Sequence, residues 1–245
     1  MLVLSWDTST ELTSLGLCRA DASGHLGILE TKTGDGRGSH SSTLPPEIDR
    51  ILKRHGLKPI DLDLVAAGRG PGSFTGLRTG LALAKGLAMG AGIPALGISS
   101  LAVLAGHPAK PPMPAPSLVA PVIDARHGEL FTRLFRLIPG SPLPGPLSDI
   151  LVLSPDKVMP ALRALDTERE GILLLGPALR LLPPAAEGFT LGPSDPPDPS
   201  ILASQAAYSL TNGLAADCPP TPLYGRSPDI FKKWTPPARL PSQKS

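Results

Sequence analysis

The chain has 245 residues and a formal net charge of +2, with 41% apolar residues but only 4% aromatic ones. That length suits one large domain or two small ones sharing a core, built from Leu, Ala, Val and Ile rather than from rings. A charge so near neutrality does not by itself mark a nucleic-acid binder, and two distant cysteines, Cys18 and Cys218, exclude a disulfide scaffold or zinc knuckle and fit a reducing cytoplasm.

In chain order, Leu2–Trp6 reads as a buried strand ending at Asp7, with no basic segment ahead of it that would suit a signal peptide. After the turn Thr8-Ser9-Thr10, residues 12–19 and 25–33 read as two further strands. Residues 43–55 repeat Leu44, Ile48, Ile51 and Leu52 at helical spacing, with Pro45 and Pro46 suited to a first turn and Gly56 to the position after the last. Leu62–Gly68 is a strand broken by Gly70-Pro71-Gly72. Ser73 can cap a helix running to about Gly90. A short strand (93–98) and a short helix (99–105) complete a β-β-β-α-β-α-β-α first half.

Many of the 31 prolines fall after residue 107, and His107–Ser117 reads as a proline linker between domains. Beyond it the spacing predicts strands at 118–123 and 129–137, helices at 155–165 and 200–212 with a strand at 171–175 between them, and an irregular tail from Cys218. No apolar run reaches membrane-spanning length.

Two turns could hold phosphate. Asp7-Thr8-Ser9 sits between strands, where hydroxyls and N–H groups can receive an anion and an aspartate can orient a metal-bound water. The same residues also suit a plain hairpin turn, because glycine is missing. Gly70, Gly72 and Ser73 lie at a strand-to-helix junction, which could present N–H groups to an anion or simply permit close packing. This loop fails the Walker, dinucleotide and nucleophile-elbow patterns. His25, His40, His55, His107 and His127 show no metal-ligand spacing.

The helix after that loop carries Gly76, Gly80, Ala84 and Ala88 at spacings of four. Leu77, Leu81, Leu83, Leu87 and Met89 make it apolar nearly all round. Interior glycine costs about 1 kcal/mol against alanine, so a close neighbour is expected. The neighbour could be another subunit or the chain's own sheet. The subunit reading places Leu44, Ile48, Ile51, Leu52, Gly76, Leu77, Gly80, Leu81 and Ala84 at a partner interface, with two helices from each side. The segment Tyr224–Trp234 interleaves aromatic and basic residues, which suits RNA contact or packing on its own domain.

Asp7-Thr8-Ser9-Thr10, His40 ahead of Leu44-Pro45, the run Gly70–Ala88, Gly97-Ile98-Ser99-Ser100-Leu101, Asp124-Ala125-Arg126 and Pro222–Arg226 together resemble the TsaB (YeaZ) family of bacterial tRNA threonylcarbamoyladenosine biosynthesis. The likeness is dense over 1–136 and most specific at 70–78. It implies an α/β, two-lobed actin-like ATPase (ribonuclease H-like) fold of mixed sheets flanked by helices. The lobes would span 1–107 and 108–217, with an irregular tail over 218–245. It further implies a heterodimer with a TsaD-like catalytic paralogue, assembly with a TsaE-like ATPase, and tRNA reached through the complex. That complex transfers threonylcarbamoyl to N6 of adenosine 37 in tRNAs reading ANN codons. This chain would be a cytoplasmic scaffold or activator without catalytic residues, cofactor or metal, and a homodimer when alone. Where catalytic relatives carry a metal-binding histidine pair, this sequence has Ser100 and Leu104. The competing reading is a nucleotide-dependent small-molecule kinase of the same superfold, in which Asp7 and the Gly70–Ser73 loop hold Mg-ATP. A peptidase would need a nucleophile–base pair, and none can be picked out.

Overall fold

The computed structural model describes residues 1–20, 26–34, 40–106 and 117–225. Of the expected linker His107–Ser117 all but Ser117, and of the expected tail 218–245 the part from Arg226, lie outside the described residues.

The first half builds one five-stranded sheet. β1 (Leu2–Asp7) pairs antiparallel with β2 (Ser14–Ala20), and β2 antiparallel with β3 (Leu26–Thr33). After α1 (His40–Arg54), β4 (Leu64–Gly68) joins β1 in parallel. After α2 (Phe74–Ala91), β5 (Ala95–Ile98) joins β4 in parallel, giving the order β3-β2-β1-β4-β5. α3 (Ser100–Ala105) leads out of this sheet.

The second half repeats the plan. β6 (Leu118–Arg126) and β7 (Glu129–Thr132) form a hairpin, followed by the two-residue strands β8 (Phe135–Arg136) and β9 (Gly145–Pro146). β10 (Leu151–Leu153) pairs antiparallel with β7. After α4 (Pro155–Leu165), β11 (Ile172–Leu175) and β12 (Phe189–Leu191) extend the sheet in parallel, giving β10-β7-β6-β11-β12. α5 (Pro199–Thr211) is the last α-helix among the described residues. Two sheets, each a three-stranded antiparallel meander with two parallel strands added beside its first strand, make the doubled arrangement of the actin-like ATPase superfold.

Strand alternation divides each sheet into two buried faces. Leu2, Leu4 and Trp6 of β1 pack with Leu44, Ile48, Ile51 and Leu52 of α1 and with Leu81, Ala84 and Ala88 of α2. Val3 of β1, with Leu64 and Ala66, faces Leu202, Ala203, Ala206 and Ala207 of α5. In the second sheet, Leu118, Ala120 and Val122 face α4, while Val119 and Ile123 face Leu101, Leu104 and Ala105 of α3. α3 follows the first sheet but covers the second, and α5 follows the second but covers the first. Neither sheet is therefore closed by a contiguous stretch of chain.

The structure corrects the assignment of the two first-half helices. Leu44, Ile48, Ile51, Leu52, Leu77, Leu81 and Ala84 are at most 5% exposed, and Gly76 and Gly80 are buried with them, all inside this chain. The glycine stripe lets α2 lie close on β1. A Cβ at Gly80 would sit 2.4 Å from Thr8 Oγ1, and Trp6 Nε1 donates to the Gly80 carbonyl at 3.1 Å. The close neighbour that the glycines require is the chain's own sheet. α1 also begins earlier than expected, at His40, so Pro45 and Pro46 stand inside it, on its exposed face.

Candidate functional site

The two phosphate-type turns expected from sequence do meet, at the carboxyl ends of β1 and β4. Asp7 is 1% exposed. Its Oδ1 accepts the Ser9 N–H at 2.7 Å, and its Oδ2 accepts the Ser100 hydroxyl at 2.6 Å. Ser100 Oγ in turn accepts the Gly70 N–H at 3.2 Å, and the Ser100 N–H donates to the Gly70 carbonyl at 2.9 Å. Ser73 N–H donates to the Ser9 carbonyl at 2.7 Å, while Ser73 Oγ caps α2 by accepting from Gly76 N–H at 3.2 Å. Thr8 Oγ1 donates to the Gly76 carbonyl at 2.8 Å.

Close packing makes the glycines obligatory. A Cβ at Gly68 would fall 1.8 Å from Asp7 Oδ2, and one at Gly72 would fall 2.2 Å from the Ser9 carbonyl oxygen. Gly70 has φ +98°, which L side chains rarely adopt.

Asp7, Thr8, Ser9, Gly70, Gly72 and Ser73 are thus brought together, but they bind one another. The N–H groups of Ser9, Gly70, Ser73 and Gly76 all donate within the chain. An incoming phosphate would have to displace those bonds. Sequence reasoning missed Gly68, which makes room for the carboxylate, and the tie between Asp7 and Ser100, which lie 93 residues apart. The only signal was that a serine opened α3 at a position otherwise suited to a ligand.

Ser100→Ala removes the hydroxyl that serves both Asp7 and Gly70. The expected loss is about 2 kcal/mol, because a buried carboxylate and a backbone N–H each lose a partner. Urea unfolding with an unchanged m-value would check it; a midpoint equal to wild type would refute it.

The second hairpin turn mirrors the first. Asp124 Oδ1 accepts the Arg126 N–H at 2.7 Å. The Arg126 guanidinium lies 3.1 Å from Glu11 Oε1 and 3.6 Å from Asp124 Oδ2. Both Arg126 and Glu11 are more than half exposed, so their pairing contributes little stability. It does bridge the two turns across a cleft of about 360 Å³ lined by Ser9, Ser73, Asp124, Arg126, Arg180 and Ser194. Ser9 Oγ is buried without a hydrogen-bond partner.

Among the described residues, no three His, Cys, Asp or Glu side chains converge as a metal site. Leu104 packs in the core of the second lobe. Burial, with Asp198 nearby, pushes the Cys18 thiol up to about 12, far from a nucleophile's range.

The outward side of α2 presents a second candidate surface. Phe74, Thr75, Arg78, Ala82, Lys85, Gly86, Met89 and Gly90 are exposed, with Leu83 and Leu87 half-buried beside them. Met89 is 85% exposed, and a Cβ added at Gly86 or Gly90 would meet nothing within 4 Å. On α1 the outward side is charged, with Lys53–Asp49 at 2.8 Å and an Arg50–Glu47 pair.

A family model described as TsaD, tRNA N6-adenosine threonylcarbamoyltransferase, matches residues 36–141. The TsaB protein of Haemophilus influenzae is 40% identical over 131 residues, covering 54% of this chain and 52% of that protein. The TsaB protein of Escherichia coli is 34% identical over 132 residues, covering 54% and 53%. The matched part therefore spans about half the length of these curated relatives. An uncharacterized protein of Mycobacterium tuberculosis is 33% identical over 229 residues, covering 93% of this chain and 92% of that one. Among solved structures, YeaZ from Pseudomonas aeruginosa superposes with a TM-score of 0.70 at 27% identity, covering 91% of this chain and 99% of that chain.

Proposed function

The chain belongs to the TsaB (YeaZ) family, and from that premise we propose that it serves tRNA threonylcarbamoyladenosine biosynthesis in the cytoplasm as a scaffold or activator subunit without chemistry of its own. It pairs with a TsaD-like catalytic paralogue, a TsaE-like ATPase joins the pair, and the tRNA is engaged by the complex.

The observation that carries this reading is the closed junction at Asp7. A phosphoryl-transfer site needs a carboxylate free to orient a metal-bound water and N–H groups free to receive charge. Here both Asp7 oxygens accept bonds from the chain, and the N–H groups of Ser9, Gly70, Ser73 and Gly76 are occupied by Asp7, Ser100, Ser9 and Ser73. A rigid junction of this kind suits a subunit that presents a surface.

The surface proposed for the partner is the outward side of α2 around Ala82, Gly86, Met89 and Gly90, flanked by Leu83 and Leu87. Small residues there let a second helix approach closely, and apolar area left in water favours being covered. With no partner present, the same strip supports a homodimer.

One feature favours the kinase alternative: the cleft has the volume for a small ligand and two arginines in its wall, Arg126 and Arg180. A titration of the purified chain with Mg-ATP separates the readings. The scaffold reading expects no saturable binding, whereas submillimolar affinity with phosphoryl transfer would establish the kinase. The direct test is co-purification with the TsaD-like paralogue of the same genome, followed by tRNA modification with and without this chain. Unchanged modification in its absence would end the scaffold proposal.

A further inference from the structure

We propose that Phe74, Arg78 and Tyr224 form a stacking platform for unpaired nucleotides, through which this chain touches single-stranded RNA itself. The proposal rests on the functional reading above only for which RNA is bound.

The chain has five Phe, two Tyr and two Trp, and an aromatic-poor protein is expected to bury its rings. Trp6, Phe131 and Phe135 are buried. Among the described residues the two exposed rings are Phe74, 53% exposed, and Tyr224, 47% exposed, and they stand side by side. Their centroids are 5.4 Å apart at an interplanar angle of 30°. The Arg78 guanidinium lies 3.8 Å over the Phe74 ring, and its Nε donates to the Tyr224 hydroxyl at 3.2 Å.

The chain holds this group in place from both ends. Phe74 and Arg78 share one face of α2, one turn apart. Tyr224 is fixed by a strap, residues 218–225, which runs from β5 to the second lobe. Gly97 N–H donates to the Cys218 carbonyl at 2.9 Å, and Leu223 N–H donates to the Arg69 carbonyl at 2.7 Å. Gly225 then lies so close to Phe131 that a Cβ would fall 2.5 Å from the ring. The rings are therefore ordered before any ligand arrives, which lowers the entropy lost on stacking.

Charge selects the partner. No Asp or Glu occurs between Asp63 and Asp124, while Arg69, Arg78 and Lys85 lie within that stretch. None of the three makes an ion pair among the described residues, and Arg69 Nε is buried without a hydrogen-bond partner. The sequence after Gly225 adds five basic residues against the single acidic Asp229. The net charge of +2 conceals this polarisation. Exposed rings, a guanidinium and unpaired cations match bases and phosphates of a single strand, where stacking tolerates any base. A purely apolar partner would leave those cations without counter-charge.

The test uses the full chain and three labelled probes in anisotropy titrations: an unmodified anticodon stem–loop, an unstructured RNA strand, and a fully paired duplex. Both probes with unpaired bases should bind, and the duplex should bind at least tenfold more weakly. Phe74→Leu and Tyr224→Ala should each weaken loop binding about tenfold, and Arg78→Gln should also flatten its dependence on salt by about one unit of slope. Arg78→Lys should restore the salt slope. The affected side chains are about half exposed, so an unchanged melting temperature serves as the folding control, and a variant that melts early is replaced by Tyr224→Leu. Equal affinity for loop and duplex would overturn the platform. So would Phe74→Leu losing the catalytic paralogue while keeping wild-type RNA affinity, which would make this a protein-docking face. A wild-type chain that binds none of the three probes yet supports modification sinks the platform and leaves the scaffold role standing. Intact RNA binding in a chain that modification does not need does the reverse.

Discussion

Gly68→Ala should lower stability by about 3 kcal/mol or more, enough to drop the melting temperature by about 10 °C in a chain of this size. The added methyl would lie 1.8 Å from Asp7 Oδ2, so the carboxylate must move. If it moves, the bonds from Ser9 N–H and the Ser100 hydroxyl stretch together, and the Gly70 turn loses its anchor. A buried charge with weakened hydrogen bonds is among the most damaging changes a core can suffer. Shortening Asp7 to alanine alone is destabilising as well, but in the double variant Gly68→Ala, Asp7→Ala the clash is gone. The two losses should therefore be strongly non-additive. Calorimetry on the four proteins checks this. A Gly68→Ala chain that melts within about a degree of wild type would mean that the junction is loose, and the case against a phosphate site would weaken with it.

Gly86→Trp should abolish pairing with the TsaD-like paralogue while the chain itself stays folded. A Cβ at Gly86 meets nothing within 4 Å, so the ring projects outward, and replacing a helix-interior glycine even favours the helix by a few tenths of a kcal/mol. Across a close helix–helix contact the same ring has nowhere to go, and the affinity should fall at least about a hundredfold. Ala84→Trp, only two residues away, is expected to do the opposite. Ala84 is 0% exposed beneath the sheet, so that chain should fail to fold at all. Co-purification and sedimentation of the two variants separate an outer docking face from an inner packing face. Wild-type pairing by Gly86→Trp, together with Ala82→Trp, would remove α2 from the interface.

These contrasts depend on which side of a helix faces what, and that is where sequence reasoning reached its limit. The order of elements in the first half was readable because it rests on local chemistry. The short apolar run at 2–6 marks a buried strand, Ser73 accepts from Gly76 N–H as a cap should, and Gly56 adopts φ +66° after α1. The small strands β9, β10 and β12 were not readable, since two or three residues carry no period.

The glycine run of α2 likewise announced a close neighbour without identifying it. Spacing shows that a face is buried; it holds no information on which polypeptide buries it. The spacing of Leu44, Ile48, Ile51 and Leu52 marks one face, yet that face meets β1 rather than a second chain.

By itself, the sequence determined the strand and helix order of the first lobe, the capped start of α2, the need for close packing along Gly76, Gly80 and Ala84, and the family likeness. Only the tertiary structure decided that Ser100 reaches Asp7, that α3 and α5 each cover the other lobe's sheet, and that Tyr224 comes to rest beside Phe74. The first group follows from forces between residues a few positions apart, which leave a pattern in the chain. The second joins residues of different elements, most of them roughly a hundred or more positions apart, whose contact is set by how two sheets pack, and packing leaves no local trace.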